Sequence, residues 1–149
     1  MEFIPYFKHF NDLTATELYS ILKLRNEVFI LEQNCIYLDT DNKDLECYHL
    51  MLLKNNELAA YARLVPPGLS FNEMSIGRVV SNPEFRGTGA GRALMNLAIE
   101  KCRQIFGEGA IKIGAQRYLL NFYSSFGFVA VGEAYDEDGI PHIDMIRNP

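Results

Sequence analysis

The sequence lacks any uninterrupted apolar run that approaches membrane-spanning length, which argues against a helical membrane protein. Its start, Met1-Glu2-Phe3-Ile4-Pro5, has neither a basic region nor a long apolar core, so no leader is expected and the cytoplasm is the expected compartment. Basic charge is scarce: 14 Lys and Arg stand against 19 Asp and Glu, a formal net charge of −5. A general nucleic-acid binder would show a basic face, so nucleic acid is not an expected partner. Cysteine is limited to Cys35, Cys47 and Cys102, an odd number without zinc-ligand spacing, so free thiols and no metal site are expected. Repeats, low-complexity segments and linkers are missing too. Residues 1–149 therefore read as one domain, long enough to bury about 70% of its unfolded surface.

What is present is organised around residues 75–106. Ile76, Val79 and Val80 are β-branched strand formers, and Pro83 cannot donate to a ladder, so a strand should stop before it. From Ala90 onward Leu94, Leu97, Ala98, Cys102 and Ile105 recur at spacings mostly of three and four, the pattern of an amphipathic helix. Gly87, Gly89 and Gly91 crowd the helix entrance, where each glycine inside a helix costs about 1 kcal/mol against alanine. Backbone N–H groups without Cβ atoms in the way can converge on one anion, reinforced by the positive end of the helix dipole. Arg86 and Arg92 flank the turn and can add charge-assisted bonds to phosphate. The plainer alternative is a tight strand-to-helix turn with no ligand, but that needs one glycine rather than three. A Walker A loop would need Lys-Ser/Thr where the chain has Arg92-Ala93, and a dinucleotide fingerprint would need glycine at Arg92.

Along the rest of the chain, Phe3 to Phe10 suggests a short strand, and Thr14 with Glu17 forms a capping box inside a Leu13–Leu18 staple. Leu18, Ile21, Leu22, Val28 and Phe29 make the buried stripe of the helix that follows, with Arg25 among them, either paired in the structure or part of a site. Asn34 to Cys47 is a long connection carrying Asp39, Asp41, Asp44 and Glu46, either a solvated acidic loop or a functional one. Tyr48 to Leu53 and Leu58 to Val65, turning at Asn55-Asn56, read as a hairpin. Ala110 to Ala115, Phe128 to Ala134 and His142 to Ile146 read as strands, with a short helix from Arg117 to Phe126 closed by Gly127. The expected fold is α+β: a mixed but mostly antiparallel sheet with helices on its faces.

Arg86-Gly87-Thr88-Gly89-Ala90-Gly91, directly after a Val-Val strand, resembles the pyrophosphate-binding motif of the GNAT superfamily of acetyl-CoA-dependent N-acyltransferases. Asn121-Phe122-Tyr123 and Gly127-Phe128 are similar to the family's Tyr-x-x-x-Gly-Phe ending. Glu32-Gln33-Asn34-Cys35, Gly114-Ala115-Gln116 and Glu137-Asp138-Gly139-Ile140-Pro141-His142 together resemble the ElaA-like branch. The resemblance covers nearly the whole chain and implies a single acyltransferase domain. It implies that Val79, Val80 and Ser81 hold the pantetheine arm of acetyl-CoA and that Arg86, Gly87, Thr88, Gly89, Ala90, Gly91 and Arg92 hold its pyrophosphate. It also implies that Asn121 contacts the coenzyme and that Tyr123 sits beside its sulfur, as the acid for the leaving thiolate. The plainer role for a tyrosine on a short helix is core packing with a locally bonded hydroxyl.

The general base is not fixed by the sequence. Many GNAT enzymes carry a glutamate on the central strand, where this chain has Ser75-Ile76-Gly77-Arg78 and only Glu73 nearby. The candidates are His49, His142, Asp144 and a carboxylate of the acidic loop, with His142 preferred. The expected activity is acetyl transfer from acetyl-CoA to a primary amine of a small molecule or peptide by a monomer or homodimer. The acidic loop suggests an acceptor that is cationic before it reacts. The alternative is a coenzyme-binding sensor or structural module with the same fold and little turnover.

Overall fold

The computed structural model describes residues 2–149. Seven strands and three α-helices follow in the order β1 (Ile4–His9), α1 (Ala15–Arg25), β2 (Tyr48–Lys54), β3 (Glu57–Val65), β4 (Ser75–Ser81), α2 (Ala90–Phe106), β5 (Ile111–Gln116), α3 (Leu120–Ser124), β6 (Val129–Glu137) and β7 (Ile140–Arg147). The strands form two antiparallel sheets, β1-β2-β3-β4 and β5-β7-β6. A parallel bridge between Met74 and Ile111 joins them, where the Lys112 N–H donates to the Met74 carbonyl at 3.0 Å. The class is the expected α+β, with the sheet divided in two.

Local chemistry explains the elements. The Thr14–Glu17 capping box opens α1, each side chain bonding the other residue's backbone N–H. Asn55 and Asn56 both have positive φ, 51° and 63°, as a two-residue hairpin turn matched to strand twist requires. Pro5 is accommodated because β1 lies at a sheet edge. Beyond Arg25, α1 widens into a π-helical segment, Asn26–Glu32, in which the Gln33 N–H reaches back to the Val28 carbonyl. The buried stripe centres on Ile21, Leu24, Arg25, Val28 and Phe29, which leaves Leu18 and Leu22 half-buried at its margin.

Alternation along β2 and β3 covers both faces of the first sheet. Leu50, Leu52, Ala60, Ala62 and Leu64 pack with Leu94, Met95, Ala98 and Cys102 of α2, while Met51 and Tyr61 turn to Ile21, Leu24 and Val28 of α1 and its extension. β6 runs three residues beyond its expected end at Ala134, with a register break between Val131 and Tyr135. Cys35, Cys47 and Cys102 are free and buried. No helix among the described residues is long and apolar enough to cross a membrane.

Candidate active site

After the Met74–Ile111 bridge β4 and β5 diverge, so the outer edge of β4 has no strand partner among the described residues. Its backbone groups border a cavity of about 950 Å³, within the range of roughly 300–1,000 Å³ that small-ligand sites occupy. On the inner side the ladder slips: Tyr61 pairs with Val80 but Arg63 with Gly77, so Arg78 and Val79 together oppose Ala62. This is a β-bulge, and it puts Arg78 at φ 50°, a left-handed conformation that costs a non-glycine residue energy. Arg78 is held there by Asp39, whose Oδ1 accepts from Nε at 2.8 Å and whose carbonyl accepts from Nη2 at 3.0 Å.

Asp39 belongs to the acidic connection, whose three aspartates are wholly or partly withdrawn from solvent although much of the connection around them is exposed. Asp39 and Asp44 are 6% exposed, and with Asp41 they interlock with Arg25, Arg63 and Arg78. Arg25, fully buried, donates through Nε to Asp39 at 2.8 Å and through Nη1 to Asp44 at 2.9 Å; Arg63 forks onto Asp41 at 2.7 and 2.8 Å. Burial works against ionisation of Asp41 and Asp44, but the guanidinium groups outweigh it and hold both below the usual carboxylate range. Three carboxylates facing three guanidiniums leave no acidic surplus in this network, so of the loop's four acidic residues only Glu46 remains exposed and unpaired among the described residues to attract a cationic acceptor. The network's physical role is to brace the bulge. His49, a candidate base, is fully buried outside the cavity lining, between the Tyr61 hydroxyl at 2.6 Å and the Asp44 carbonyl at 3.0 Å, and burial pushes its pKa down. It has no access to a substrate there.

At the glycine turn, Gly87 and Gly89 have φ of 78° and 88°, which L side chains rarely adopt. Gly91 differs from them, since its φ is not positive and a Cβ there would meet Ser81 Oγ at 3.5 Å and the Phe122 ring at 3.7 Å in ordinary van der Waals contact, so neither conformation nor packing demands glycine. Val79, Val80, Ser81, Arg86 and Gly91 line the cavity. Gly87, Thr88, Gly89 and Ala90 continue from it to the start of α2. The two flanking arginines have different protein partners. Arg86 forks onto Glu32 at 2.6 and 2.7 Å, and Arg92 stacks on Phe126, 4.7 Å from the ring centre, and donates to Ser125 at 3.2 Å, in a separate hollow.

Tyr123 and His142, from α3 and β7, line the same cavity. Tyr123 is 6% exposed, its hydroxyl finds no hydrogen-bond partner among the described residues, and burial pushes its pKa up. His142 Nδ1 lies 2.7 Å from the Ile140 carbonyl, so Nδ1 carries the proton and donates, which leaves Nε2 as the position that gains or loses one; Glu137 Oε2 is 3.6 Å from it. Asn121, on the first turn of α3, is exposed and lies outside the cavity lining. The structure adds Tyr135, which stacks on His142 and donates to Asp144 at 2.7 Å, and a reciprocal amide pair between Gln33 and Gln116 at 3.1 and 3.2 Å. Tyr135 went unrecognised because nothing in the linear pattern of β6 separates it from a surface tyrosine.

A family profile described as an acetyltransferase (GNAT) domain matches residues 25–148. Protein ElaA of Escherichia coli K12 is 43% identical over 141 residues, 93% of this chain and 92% of its own. Its crystal structure superposes with a TM-score of 0.92 at 40% identity, covering 99% of this chain and 100% of that one. The crystal structure of an acyl-CoA N-acyltransferase from Pseudomonas aeruginosa superposes with a TM-score of 0.93 at 42% identity, over 98% of this chain and 99% of that one. An edge strand with a bulge, a glycine turn into a helix, and a matching sequence over nearly its whole length together place the chain in the GNAT acetyltransferase family.

Proposed function

We propose that the protein transfers an acetyl group from acetyl-CoA to a primary amine. The observation that carries this is the unpartnered edge of β4, which shares one cavity with the unbonded Tyr123 hydroxyl and the imidazole of His142. Pantetheine, an extended chain with two amides, adds to the edge at Val79, Val80 and Ser81 as a further strand would. Its pyrophosphate meets the backbone N–H groups of Gly87 to Gly91 and the positive end of α2. Asn121 and the side chains of Thr88 and Arg92 complete this end of the coenzyme.

The amine attacks the thioester carbonyl, and backbone N–H groups of the bulged strand receive the charge that develops on oxygen. Nε2 of His142 takes the proton that the nitrogen loses. As the carbon–sulfur bond breaks, Tyr123 protonates the departing thiolate and later recovers its proton from solvent. Burial raises the pKa of the tyrosine, and the same dry setting makes the thiolate more basic, so the transfer stays matched. The acceptor must be neutral to attack; an α-amino group, with reference pKa about 7.7–8.0, meets this more readily than a lysine near about 10.4.

The test is release of free CoA thiol from acetyl-CoA across a panel of amines. At least one amine should raise release well above the rate of hydrolysis. Thermal stabilisation by acetyl-CoA with no amine-dependent release would leave a coenzyme-binding module in place of the enzyme. Absence of both would overturn the proposal.

A further inference from the structure

A second hollow, of about 640 Å³, lies between α2, the residues after α3 and the end of β7, and shares no lining residue with the cavity beside β4. Arg92, Arg103 and Arg147 line it. Arg25, Arg63, Arg78 and Arg86 all have carboxylate partners, but among the described residues none of these three does. Arg92 and Arg103 lie eleven residues apart on α2, with Asn96 and Ile99 between them, so they lie along one helix face. Phe126 links the arginines from beneath: its ring carries Arg92 and its carbonyl accepts from Arg147 Nε at 2.7 Å.

This leaves unmet donors. Arg103 Nε and Arg147 Nη1 are buried with no hydrogen-bond partner among the described residues. Burial and then the neighbouring charge of Arg103 hold Arg147 below the usual arginine value, so the two guanidinium groups are close enough to repel. In a chain with a formal net charge of −5, such a concentration of unpaired positive charge calls for an anion. Glu100 and Glu108 on the rim, the former held by the Gln104 amide at 3.1 Å, would repel an extended polyanion and favour a compact one.

We propose that this groove binds a phosphate monoester. Such a group carries about −1.5 to −2 charge at neutral pH and three acceptor oxygens, enough to serve donors arriving from α2 and β7 together. A carboxylate, with one charge and two oxygens, would satisfy a single fork. Two sources share this chemistry. One is the ribose 3′-phosphate of CoA, because Arg92 sits both in the groove and beside the glycine turn; this source rests on the proposed function. The other is a separate phosphorylated metabolite.

Calorimetric titration of the wild type, Arg103→Gln and Arg147→Gln with CoA and with 3′-dephospho-CoA, together with thermal shifts in inorganic phosphate, tests the site. If the coenzyme is the source, the wild type prefers CoA over dephospho-CoA by about tenfold or more, and each variant loses the preference while keeping its affinity for dephospho-CoA. Equal affinities with a phosphate-dependent stabilisation that both variants lose would assign the groove to a separate phosphate ester. Equal affinities with no phosphate effect, or effects that survive in both variants, would overturn the site. Arg147 also ties down the Phe126 carbonyl, so unliganded melting temperatures are measured alongside and Arg103→Gln, without such a tie, decides if Arg147→Gln unfolds. Should neither coenzyme bind, the proposed function fails and the groove stands or falls on the phosphate arm.

Discussion

Glu32 and Arg86, 54 residues apart in the chain, meet beside the cavity as a two-point ion pair, with Oε1 2.6 Å from Nη2 and Oε2 2.7 Å from Nη1. Both side chains remain more than 40% exposed. An exposed pair of this kind is worth about 0–1 kcal/mol, little enough for an incoming pyrophosphate to take Arg86 from its partner. Glu32→Gln should therefore tighten CoA binding, by up to about fivefold, and Arg86→Gln should weaken it. Titration calorimetry of both variants checks this. Weaker binding in Glu32→Gln would show that the pair itself, and not the released arginine, shapes the site.

Tyr123→Phe removes one hydroxyl that has no hydrogen-bond partner among the described residues, so the melting temperature and coenzyme affinity should stay near wild type. Loss of a general acid typically costs about 100- to 10,000-fold, and the loss should appear in kcat where chemistry limits turnover. A lowered melting temperature with full kcat would return Tyr123 to the role of a packing residue.

His142→Gln keeps a polar side chain of similar reach but cannot take up a proton. Its kcat/KM should fall by about 100-fold or more, and the acid limb of the pH–rate profile should disappear. Retention of that limb would move the base elsewhere, with Asp144, already in the cavity beside Tyr135, the first alternative.

Asp44→Asn breaks the buried network at the residue shared by Arg25 and Arg63, and should destabilise the fold by about 3–5 kcal/mol. The sign of the pH effect follows from Asp41 and Asp44, whose folded pKa values lie below their unfolded ones. Their contribution is complete above the ordinary carboxylate range and is lost as pH falls through that range toward the folded values. His49, with its pKa depressed by burial, adds loss in the same direction as it is forced to protonate. Denaturant melts of the wild type and Asp44→Asn from neutral to acid pH should show the variant losing less stability on acidification.

Local rules made much of the fold legible from the chain alone. The Thr14–Glu17 box, the Asn55-Asn56 turn, the apolar stripe of α2 and the positive-φ glycines at 87, 89 and 127 are each decided within a few residues, so their chemistry can be read in sequence order. The glycine turn with its preceding strand was legible for the same reason. Where a side chain finds its partner across the chain, the linear pattern was silent or misleading. Asp39, Asp41 and Asp44 read as either a solvated acidic loop or a functional one, because their arginines lie as far as 39 residues away and a carboxylate's environment depends on what folding brings against it. Arg86 and Arg92 read as equivalent flanks of one turn until Glu32 and Phe126, from other elements, drew them to different hollows. The bulge at Arg78 was invisible for the same reason, since a register slip is a relation between two strands, and only the packed molecule supplies the Asp39 that holds it.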